Sequence, residues 1–360
     1  MPPLSIMVKP ASSNCNLRCE YCFYSDVVSK REFPNFGIMS EKTARKLIIS
    51  ALEFADGESI SFAFQGGEPV LAGLDYFKDF TAFVKENNPK NSKIFYSLQT
   101  NGTLLNDEFA NFFRENEFLI GLSLDGDFEN NSFRKDANGQ NSYYKIIKAS
   151  DLLEKYGVEF NILTVLTGRC ADNCEKIYRH FRSKGYKYLQ FIPCLRPFES
   201  EEESELYMTA EQYANFLIRT FNLYVKDFVR GNYVSIRQFD NLVRMYLGEN
   251  PEQCGMCGHC THQFVAEGNG NIYPCDFYCT DKYLLGNICD TSLEKMANSE
   301  KAKDFIRESL QISDKCKQCR FFALCRAGGC KRQRADRDYC ESYQKFFSSC
   351  LPLFRAFDKG

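Results

Sequence analysis

The stretch Cys15-Asn-Leu-Arg-Cys19-Glu-Tyr-Cys22-Phe-Tyr24 places three cysteines, spaced C-x3-C-x2-C, near the start of the chain. It follows an apolar run at 4–8 that is predicted to be a β-strand. Three thiolates are one short of the four ligands that a closed zinc site or an iron-sulfur cube takes from protein. The stretch therefore predicts a metal centre with one open position, on a loop that leaves the first strand.

Beyond this loop, short apolar runs alternate with segments of helical period as far as residue 192. Strands are predicted at 4–8, 59–64, 93–98, 119–124, 158–165 and 187–192. Helices are predicted between them at 40–55, 75–86, 106–115, 142–156 and 171–184. Parallel strands joined by helices close most naturally as a full or partial barrel with the helices outside. The predicted fold class is therefore α/β, a partial (β/α)6 TIM-like barrel.

Polar clusters follow the second, third and fourth predicted strands. They are Gln65-Gly-Gly-Glu68-Pro69, Gln99-Thr-Asn101-Gly102 and Ser123 with Asp125-Gly126. In a parallel barrel, chemistry collects on the loops at the carboxyl ends of the strands. We therefore expect these clusters and the cysteine loop to converge on one mouth.

Composition restricts the class of function. The formal net charge is -2 with no basic excess, which argues against nucleic-acid and anionic membrane partners. No secretion signal or membrane-length apolar segment is present in the sequence, so a cytoplasmic location is expected. Eighteen cysteines in a reducing compartment indicate metal binding rather than disulfides.

The cysteine spacing, with Tyr21 before the last cysteine, resembles that of radical S-adenosylmethionine enzymes. The resemblance implies that Cys15, Cys19 and Cys22 hold a [4Fe-4S] cluster. It also implies that S-adenosylmethionine takes the open iron and is split to a 5'-deoxyadenosyl radical. A zinc knuckle or buried structural cysteines are the alternatives.

The same resemblance implies a set of contacts to S-adenosylmethionine. The residues concerned are Tyr21, Gly66, Gly67, Glu68, Ser123, Arg134 and Leu195. Glycines allow close approach of backbone to a ligand, and arginine suits a carboxylate. An ordinary turn at Gly66 and Gly67 and a surface charge at Arg134 are the alternatives.

A change of composition follows a predicted helix at 209–229. Eleven cysteines lie between Cys254 and Cys340, and the strand-helix alternation stops. We place a boundary near residue 235, which gives a core domain at 1–234 and a cysteine-rich domain at 235–360. The later spacing C-x2-C-x5-C is compatible with a zinc ribbon, but the arrangement resembles the SPASM extension of radical S-adenosylmethionine enzymes.

The SPASM resemblance implies two further [4Fe-4S] clusters, each with four cysteine ligands. The nearer cluster would be held by Cys254, Cys260, Cys275 and Cys330, and the outer one by Cys316, Cys319, Cys325 and Cys340. A fully ligated cluster is left with electron transfer or structure as its task. Two departures leave the ligand set open: the turn before Cys330 is one residue longer than usual, and Cys257 offers a substitute ligand.

Within the family, the chain resembles the anaerobic sulfatase-maturating enzymes. The shared stretches include Lys9-Pro10-Ala11-Ser12, Phe62-Ala-Phe-Gln65-Gly-Gly-Glu-Pro, Ser97-Leu-Gln-Thr-Asn-Gly-Thr103 and Tyr273-Pro-Cys-Asp-Phe-Tyr278. The resemblance implies oxidation of a Cys or Ser side chain of a sulfatase peptide to formylglycine, with an electron donor of the flavodoxin or ferredoxin type. It implies Asp276 as the base, Tyr24 and Gln65 as substrate contacts, and Arg237 and Asp240 as lesser ones.

Two alternatives of other kinds stay open at this point. A SPASM enzyme that crosslinks or epimerises a ribosomal peptide would use the same cofactors and fold. A non-enzymatic zinc or iron-sulfur scaffold would use the cysteines without chemistry. The incomplete ligand set on a barrel loop argues against the scaffold.

Overall fold

The structure is a computed structural model that describes residues 4–336 and 339–358. These residues form two compact units, each assembled from separate segments of the chain. The first unit holds residues 4–123, 134–160 and 262–305, and the second holds the rest. The boundary predicted near residue 235 divides the chain along its sequence and stays a prediction.

Ten strands are present in the described chain. They are β1 (Leu4–Val8), β2 (Ile60–Phe64), β3 (Ile94–Thr100), β4 (Leu119–Ser123), β5 (Phe160–Leu166), β6 (Tyr188–Pro193), β7 (Ser235–Ile236), β8 (Val265–Ala266), β9 (Asn271–Tyr273) and β10 (Gly286–Asn287).

Fifteen α-helices accompany them among the described residues. They are α1 (Phe23–Ser29), α2 (Glu41–Ala55), α3 (Leu74–Glu86), α4 (Asp107–Glu115), α5 (Tyr143–Tyr156), α6 (Gly168–Asp172), α7 (Cys174–Ser183), α8 (Ala210–Val229), α9 (Arg237–Tyr246), α10 (Leu293–Ala297), α11 (Glu300–Ser309), α12 (Asp314–Lys317), α13 (Phe322–Cys325), α14 (Lys331–Asp336) and α15 (Cys340–Cys350).

The α/β class is confirmed, and the six predicted strands lie within two residues of their predicted ends. Helix starts are fixed by local caps: the side chains of Ser40 and Asn106 accept backbone N–H bonds at the starts of α2 and α4. The helix predicted at 171–184 is wrong in one respect. It is divided into α6 and α7, because Thr167 caps an earlier start and the chain turns at Asn173.

The first unit contains a mixed sheet in the order β10-β9-β8-β1-β2-β3-β4. The strands from β8 to β4 in this order run parallel, and β9 and β10 are antiparallel additions at one edge. The pairing of Val8 with Phe64 aligns the carboxyl ends of β1 and β2. The short strands β8, β9 and β10 were not predicted. Through the pairing of β8 with β1 they place the segment after β9 beside the end of β1.

The second unit contains the parallel strands β5, β6 and β7. Its long helix α8 packs through aromatic side chains, with Phe221 in contact with Phe346 of α15 and with Phe354 just after that helix. Aromatic packing also fills the core of the first unit, where Phe62, Phe64 and Phe77 are at most 1 % exposed. No helix of the described chain is apolar over a length that could span a membrane.

Candidate active site

The cysteine loop leaves β1 and ends at α1, whose N-cap is Cys22. Its middle is held by a short pairing with the segment after β4, in which Arg18 N–H donates to the Lys135 carbonyl at 2.6 Å. The Cys15 thiol accepts the N–H of Leu17 at 3.4 Å. Burial, with Cys22 nearby, raises the pKa of Cys15 to about 11. The three thiols are therefore presented by a loop whose backbone is fixed at both ends.

Two glycines after β2 bring this loop close to the sheet. The N–H groups of Gly67 and Glu68 donate to the carbonyls of Ser12 and Asn14 at 2.9 and 2.7 Å. A Cβ at Gly67 would lie 2.0 Å from the Asn14 carbonyl oxygen, and one at Gly66 would lie 2.9 Å from that of Ser12. The close approach that these glycines allow is therefore an approach to the cysteine loop itself.

Glu68 is buried, and its carboxylate caps backbone rather than facing solvent. It accepts the N–H of Asn101 and the hydroxyl of Thr100, both at 2.8 Å, and the N–H of Val70 at 3.2 Å. Burial raises the pKa of Glu68 to about 7 in spite of these donors. Glu68 thus ties the end of β3 to the loop after β2.

Asn101, which the sequence placed only in a polar cluster, reaches the cysteine loop. Its side-chain amide donates to Asn16 Oδ1 at 2.9 Å and lies 4.0 Å from the Cys15 sulfur. The side chain of Thr103 bridges Asn16 and Asn101. The loops after β1, β2 and β3 therefore do converge, as the parallel strand pattern predicted.

Ser123 and Arg134 are both buried in the same unit, at 6 % exposure each. The Arg134 guanidinium carbon lies 5.4 Å from the centroid of the Tyr21 ring. The Arg134 carbonyl accepts the hydroxyl and the N–H of Ser142. Arg134 is therefore not a surface charge but a buried cation beside the cysteine loop.

Asp276, which follows β9, lies at the carboxyl ends of β1 and β2. Its Oδ1 accepts from Lys9 Nζ at 2.5 Å, and its Oδ2 accepts from Gln65 Nε2 at 3.0 Å. Asp276 is 9 % exposed and Lys9 is fully buried. Burial lowers the pKa of Lys9, but attraction to Asp276, Cys279 and Glu267 together outweighs it and leaves the pKa raised. A carboxylate fixed through both oxygens is the result.

Tyr24 links this carboxylate to a second buried ion pair. Lys9 Nζ lies 3.8 Å from the centroid of the Tyr24 ring, while the Tyr24 hydroxyl donates to Glu267. Glu267 also accepts from Arg31 Nη2 at 2.8 Å and from Ser12 Oγ at 3.0 Å. Burial and the Glu267 charge raise the pKa of Tyr24 well above its usual value. The Tyr24 side chain was predicted to contact the substrate. In the structure its hydroxyl is already hydrogen-bonded within the protein.

In the second unit, the four cysteines predicted for the outer cluster line one cavity. They are Cys316, Cys319, Cys325 and Cys340. Phe321, Phe322 and Tyr343 form its apolar wall. Burial, and then the neighbouring cysteines, raise the pKa of Cys325 to about 12. Thiols that raise one another's pKa favour a bound metal group, because its positive charge stabilises the thiolates.

Three of the cysteines predicted for the nearer cluster are also grouped. Burial, and then the nearby Cys330 and Cys260, raise the pKa of Cys254 to about 12. Cys257 adds a smaller contribution there, and its sulfur lies 3.6 Å from the Gln253 carbonyl. Cys275 belongs to the first unit, so its place in this ligand set stays a prediction.

The turn Cys325-Arg-Ala-Gly-Gly-Cys330 joins the two groups of cysteines through four consecutive residues of positive φ, from 326 to 329. A Cβ at Gly329 would lie 1.9 Å from the Gly255 carbonyl oxygen. Arg326 and Ala327 adopt this conformation at a cost that glycine avoids. The extra residue of this turn is thus accommodated by a left-handed backbone that brings Cys330 toward Cys254.

The remaining predicted contacts lie in the second unit. Leu195 is buried just after β6. Asp240 accepts the hydroxyls of Tyr224 and Ser235 at 2.7 and 2.5 Å, and burial raises its pKa. Arg237 is exposed and donates to the side chain of Gln190 at 3.1 Å. A substrate role for these three residues stays a prediction.

Sequence reasoning missed Lys9, Arg31 and Glu267 as parts of the site. Lys9 carried a usable signal, because a charged residue directly after a parallel strand is expected at the functional end of the sheet. Arg31 and Glu267 carried none, because they are separated by 236 residues in the chain.

The donor sets fit the cofactors that the sequence implies. The first loop offers three thiols and no fourth cysteine within its own sequence, and the second unit offers a four-thiol cavity. Among residues 4–336 and 339–358, no group of three or more His, Cys, Asp or Glu side chains is arranged around a single metal ion. Cysteine thiols are the ligands that an iron-sulfur cube takes from protein, one for each iron.

Comparison with known proteins gives two domain matches. Residues 10–181 match the Radical SAM superfamily, and residues 254–320 match an iron-sulfur cluster-binding domain, SPASM. These segments contain the first cysteine loop and most of the later cysteines.

Relatives match over almost the whole chain. A cysteine-type anaerobic sulfatase-maturating enzyme of Clostridium perfringens is 45 % identical over 98 % of this chain and 97 % of its own. A serine-type anaerobic sulfatase-maturating enzyme of Bacteroides thetaiotaomicron is 31 % identical, over 97 % and 90 %. Among solved structures, native anSMEcpe with bound AdoMet and Cp18Cys peptide superposes with a TM-score of 0.94 at 42 % identity, over 100 % of both chains.

Proposed function

Since this chain belongs to the anaerobic sulfatase-maturating enzymes of the radical S-adenosylmethionine superfamily, we propose that it oxidises a peptide cysteine to formylglycine. The peptide would be an extended segment of a sulfatase. The cysteine-type relative is closer in sequence than the serine-type one, at 45 % against 31 % identity. The alternatives of peptide crosslinking and epimerisation are not favoured by these relatives.

The observation that carries the proposal is the fixed carboxylate of Asp276 in the unit that holds the cysteine loop. Converting a cysteine to a thioaldehyde removes two electrons and two protons from the side chain. A radical can take one hydrogen atom from Cβ, but the thiol proton needs a base. Asp276 is a buried carboxylate in position to serve, and it lies next to Cys275, the predicted ligand of an electron-accepting cluster.

When bound to Cys15, Cys19 and Cys22, the open-position cluster and S-adenosylmethionine supply the 5'-deoxyadenosyl radical that abstracts the Cβ hydrogen atom. The residues of the chain do the rest. Arg134 and Ser123 would hold the cofactor's polar groups beside Tyr21, and Leu195 is proposed as a further cofactor contact. Gly66, Gly67 and Glu68 fix the loop that carries the thiols.

After the Cβ hydrogen atom has been removed, Asp276 accepts the proton of the substrate thiol, one electron passes to an acceptor, and a C=S bond forms. Water then adds to the thioaldehyde, and hydrogen sulfide leaves to give formylglycine. Gln65 donates to this carboxylate, and the Tyr24 ring packs on the ammonium group of Lys9, so the substrate thiol would be presented near these two side chains.

The test uses the iron-loaded full chain with S-adenosylmethionine, a reductant and two peptides that differ only as Cys-x-Pro-x-Arg and Ser-x-Pro-x-Arg. We expect mass spectrometry to detect formylglycine from the cysteine peptide at a rate at least about tenfold above that from the serine peptide, a factor of ten being about 1.4 kcal/mol of barrier. The serine peptide is the matched control. Unchanged peptide beside freely formed 5'-deoxyadenosine would contradict the proposed function.

Two auxiliary [4Fe-4S] clusters complete the proposed cofactor set, which makes three clusters in all. The outer one would be bound by the four cysteines that line one cavity, and the nearer one by Cys254, Cys260, Cys275 and Cys330. The number of clusters is tested by the iron content of the reconstituted protein. The proposed domain limits, 1–234 and 235–360, assign the first cluster to one domain and both auxiliary clusters to the other.

The proposed electron donor is an acidic protein of the flavodoxin or ferredoxin type. Lys315 and Arg320 border an opening at Cys319, one of the four grouped cysteines, and Lys317 is exposed nearby. Complementary charge speeds association in a salt-dependent way. The eighteen free thiols suit the reducing cytoplasm that we propose as the location.

We expect the double variant Lys315→Glu/Arg320→Glu to bind an acidic ferredoxin about tenfold more weakly than the parent at low salt. The reason is the loss of the attraction between these two positive side chains and the acidic protein. Salt screens this attraction over about 10 Å at 0.1 M. The measurement is a binding titration of the iron-loaded chain at two salt concentrations. Lys42→Glu/Lys46→Glu, two exposed lysines of α2, is the control, and an equal loss there would argue against docking at Cys319.

A further inference from the structure

We propose that Lys9 is a positioning residue for the reaction: it fixes the carboxylate of Asp276 in the orientation that accepts the substrate proton, without touching the substrate itself. This inference rests on the proposed function. It goes beyond that function because the contacts predicted around the substrate, Tyr24 and Gln65, leave Lys9 without a role.

The backbone places Lys9 beside its partners. Lys9 directly follows β1 and extends the ladder to the neighbouring strand, donating its N–H to the Ala266 carbonyl at 2.8 Å. Gln65 directly follows β2, and its N–H donates to the Val8 carbonyl at 3.0 Å. Because Val8 and Phe64 are paired in register, Lys9 and Gln65 emerge side by side from adjacent parallel strands. Rigid strand ends are better supports for a catalytic group than loops are.

The two side chains hold different oxygens of one carboxylate. Lys9 Nζ contacts Asp276 Oδ1 at 2.5 Å, and Gln65 Nε2 donates to Oδ2 at 3.0 Å. Two donors on separate strands leave the carboxylate group little freedom to rotate. The Asp276 lone pairs that these donors leave free therefore keep one direction, which is the property a general base needs.

Lys9 is itself held in place by groups other than Asp276. Its ammonium group lies 3.8 Å from the centroid of the Tyr24 ring, and the Tyr24 hydroxyl is fixed by Glu267 and Arg31. The Glu267–Arg31 pair has no exposed side-chain surface. The whole cluster contains two cations and two carboxylates, so it is balanced in charge and needs no outside partner to remain buried.

A buried ion pair can also be structural only, so the test separates the two roles by products. In the Lys9→Met variant of the iron-loaded full chain, we expect formylglycine formed per 5'-deoxyadenosine to fall about 100-fold, the typical effect of misplacing a catalytic group by an ångström. The radical step does not use the carboxylate, so 5'-deoxyadenosine formation in the presence of peptide should change less than about threefold. Lys9→Arg, which keeps the charge, should recover part of the ratio.

The matched control is Lys90→Met, which breaks an exposed ion pair with Asp56 in the same unit and should leave the product ratio unchanged. A second readout is thermal unfolding. Lys9→Met should lower the midpoint in the parent but much less in an Asp276→Asn background, because the two residues are coupled. If Lys9→Met fails to fold, Lys9→Gln and Lys9→Arg give the ratio in folded protein.

An unchanged product ratio in folded, iron-loaded Lys9→Met protein would overturn the inference. So would a parallel fall of both products at normal iron content, since that is the result of a purely structural role. The proposed function fails in a different way: the parent protein would then cleave S-adenosylmethionine and leave the cysteine peptide unchanged.

Discussion

The Asp276→Asn protein is expected to cleave S-adenosylmethionine at close to the parent rate and to form formylglycine at least about 1000-fold more slowly. General bases contribute about 10²- to 10⁴-fold, and an amide cannot take the thiol proton. The measurement is the amount of formylglycine and of 5'-deoxyadenosine from one reaction with the cysteine peptide. Product formation by the variant within about tenfold of the parent would exclude Asp276 as the base.

This substitution also leaves Lys9 as a buried cation without its carboxylate partner. Breaking such a pair costs roughly 3–5 kcal/mol, so the thermal midpoint of the variant must be measured beside its activity. The matched control is Asp281→Asn, an exposed carboxylate in the same unit that accepts the N–H of Glu32 at 2.8 Å. It should retain both activity and stability, which separates a loss of the base from a loss of charge in general.

The framework of the first unit could be predicted because its strands and helices have strong periods and caps. The run at 4–8 and the later predicted strands are apolar, rich in β-branched and aromatic residues, and followed by polar loops. The ends of these strands, and the edge of the sheet at which the loops meet, can therefore be predicted from the sequence. The short strands β8, β9 and β10 could not be found in this way. At two or three residues each they have no measurable period, and their place depends on pairing with β1.

The residues of the site differ in the same way in how far they can be predicted from the sequence. Cys15, Cys19 and Cys22 form a local pattern, so their role could be inferred from spacing. Asp276 could be assigned only through resemblance, because it is 267 residues from Lys9, its ion-pair partner. Such contacts between distant segments, like that of Arg31 with Glu267, depend on tertiary packing that a single sequence does not display.

The glycine pair after β2 has a physical role in the structure that the sequence did not suggest. The sequence suggested that Gly66 and Gly67 make room for the cofactor. The structure shows that they make room for the backbone of the cysteine loop, through bonds to Ser12 and Asn14. The position of the cluster thiols is therefore set partly by a loop that supplies no ligand.

Gly67→Ala is accordingly expected to remove the first cluster while leaving the auxiliary ones. The new Cβ would lie 2.0 Å from the Asn14 carbonyl oxygen, an approach that forces the two backbones apart. Overpacking of this kind costs about 1–3 kcal/mol, and the bonds from Gly67 and Glu68 to the loop would be lost in addition, at about 1 kcal/mol each. The parent should contain about twelve irons per chain and the variant about eight, since each cube holds four.

The four irons of the first cluster and the cleavage of S-adenosylmethionine should therefore be lost together in this variant, as in Cys15→Ala. Gly185→Ala provides the control: its φ of +81° carries the conformational cost of about 1–2 kcal/mol, but nothing lies within 4 Å of the added methyl group. That protein should lose stability and keep its iron. If Gly67→Ala retained about twelve irons and normal cleavage, the packing of these glycines against the loop would not determine the geometry of the thiols. The conformational strain and the steric contact are thus measured separately, and only the contact is expected to affect the radical cluster.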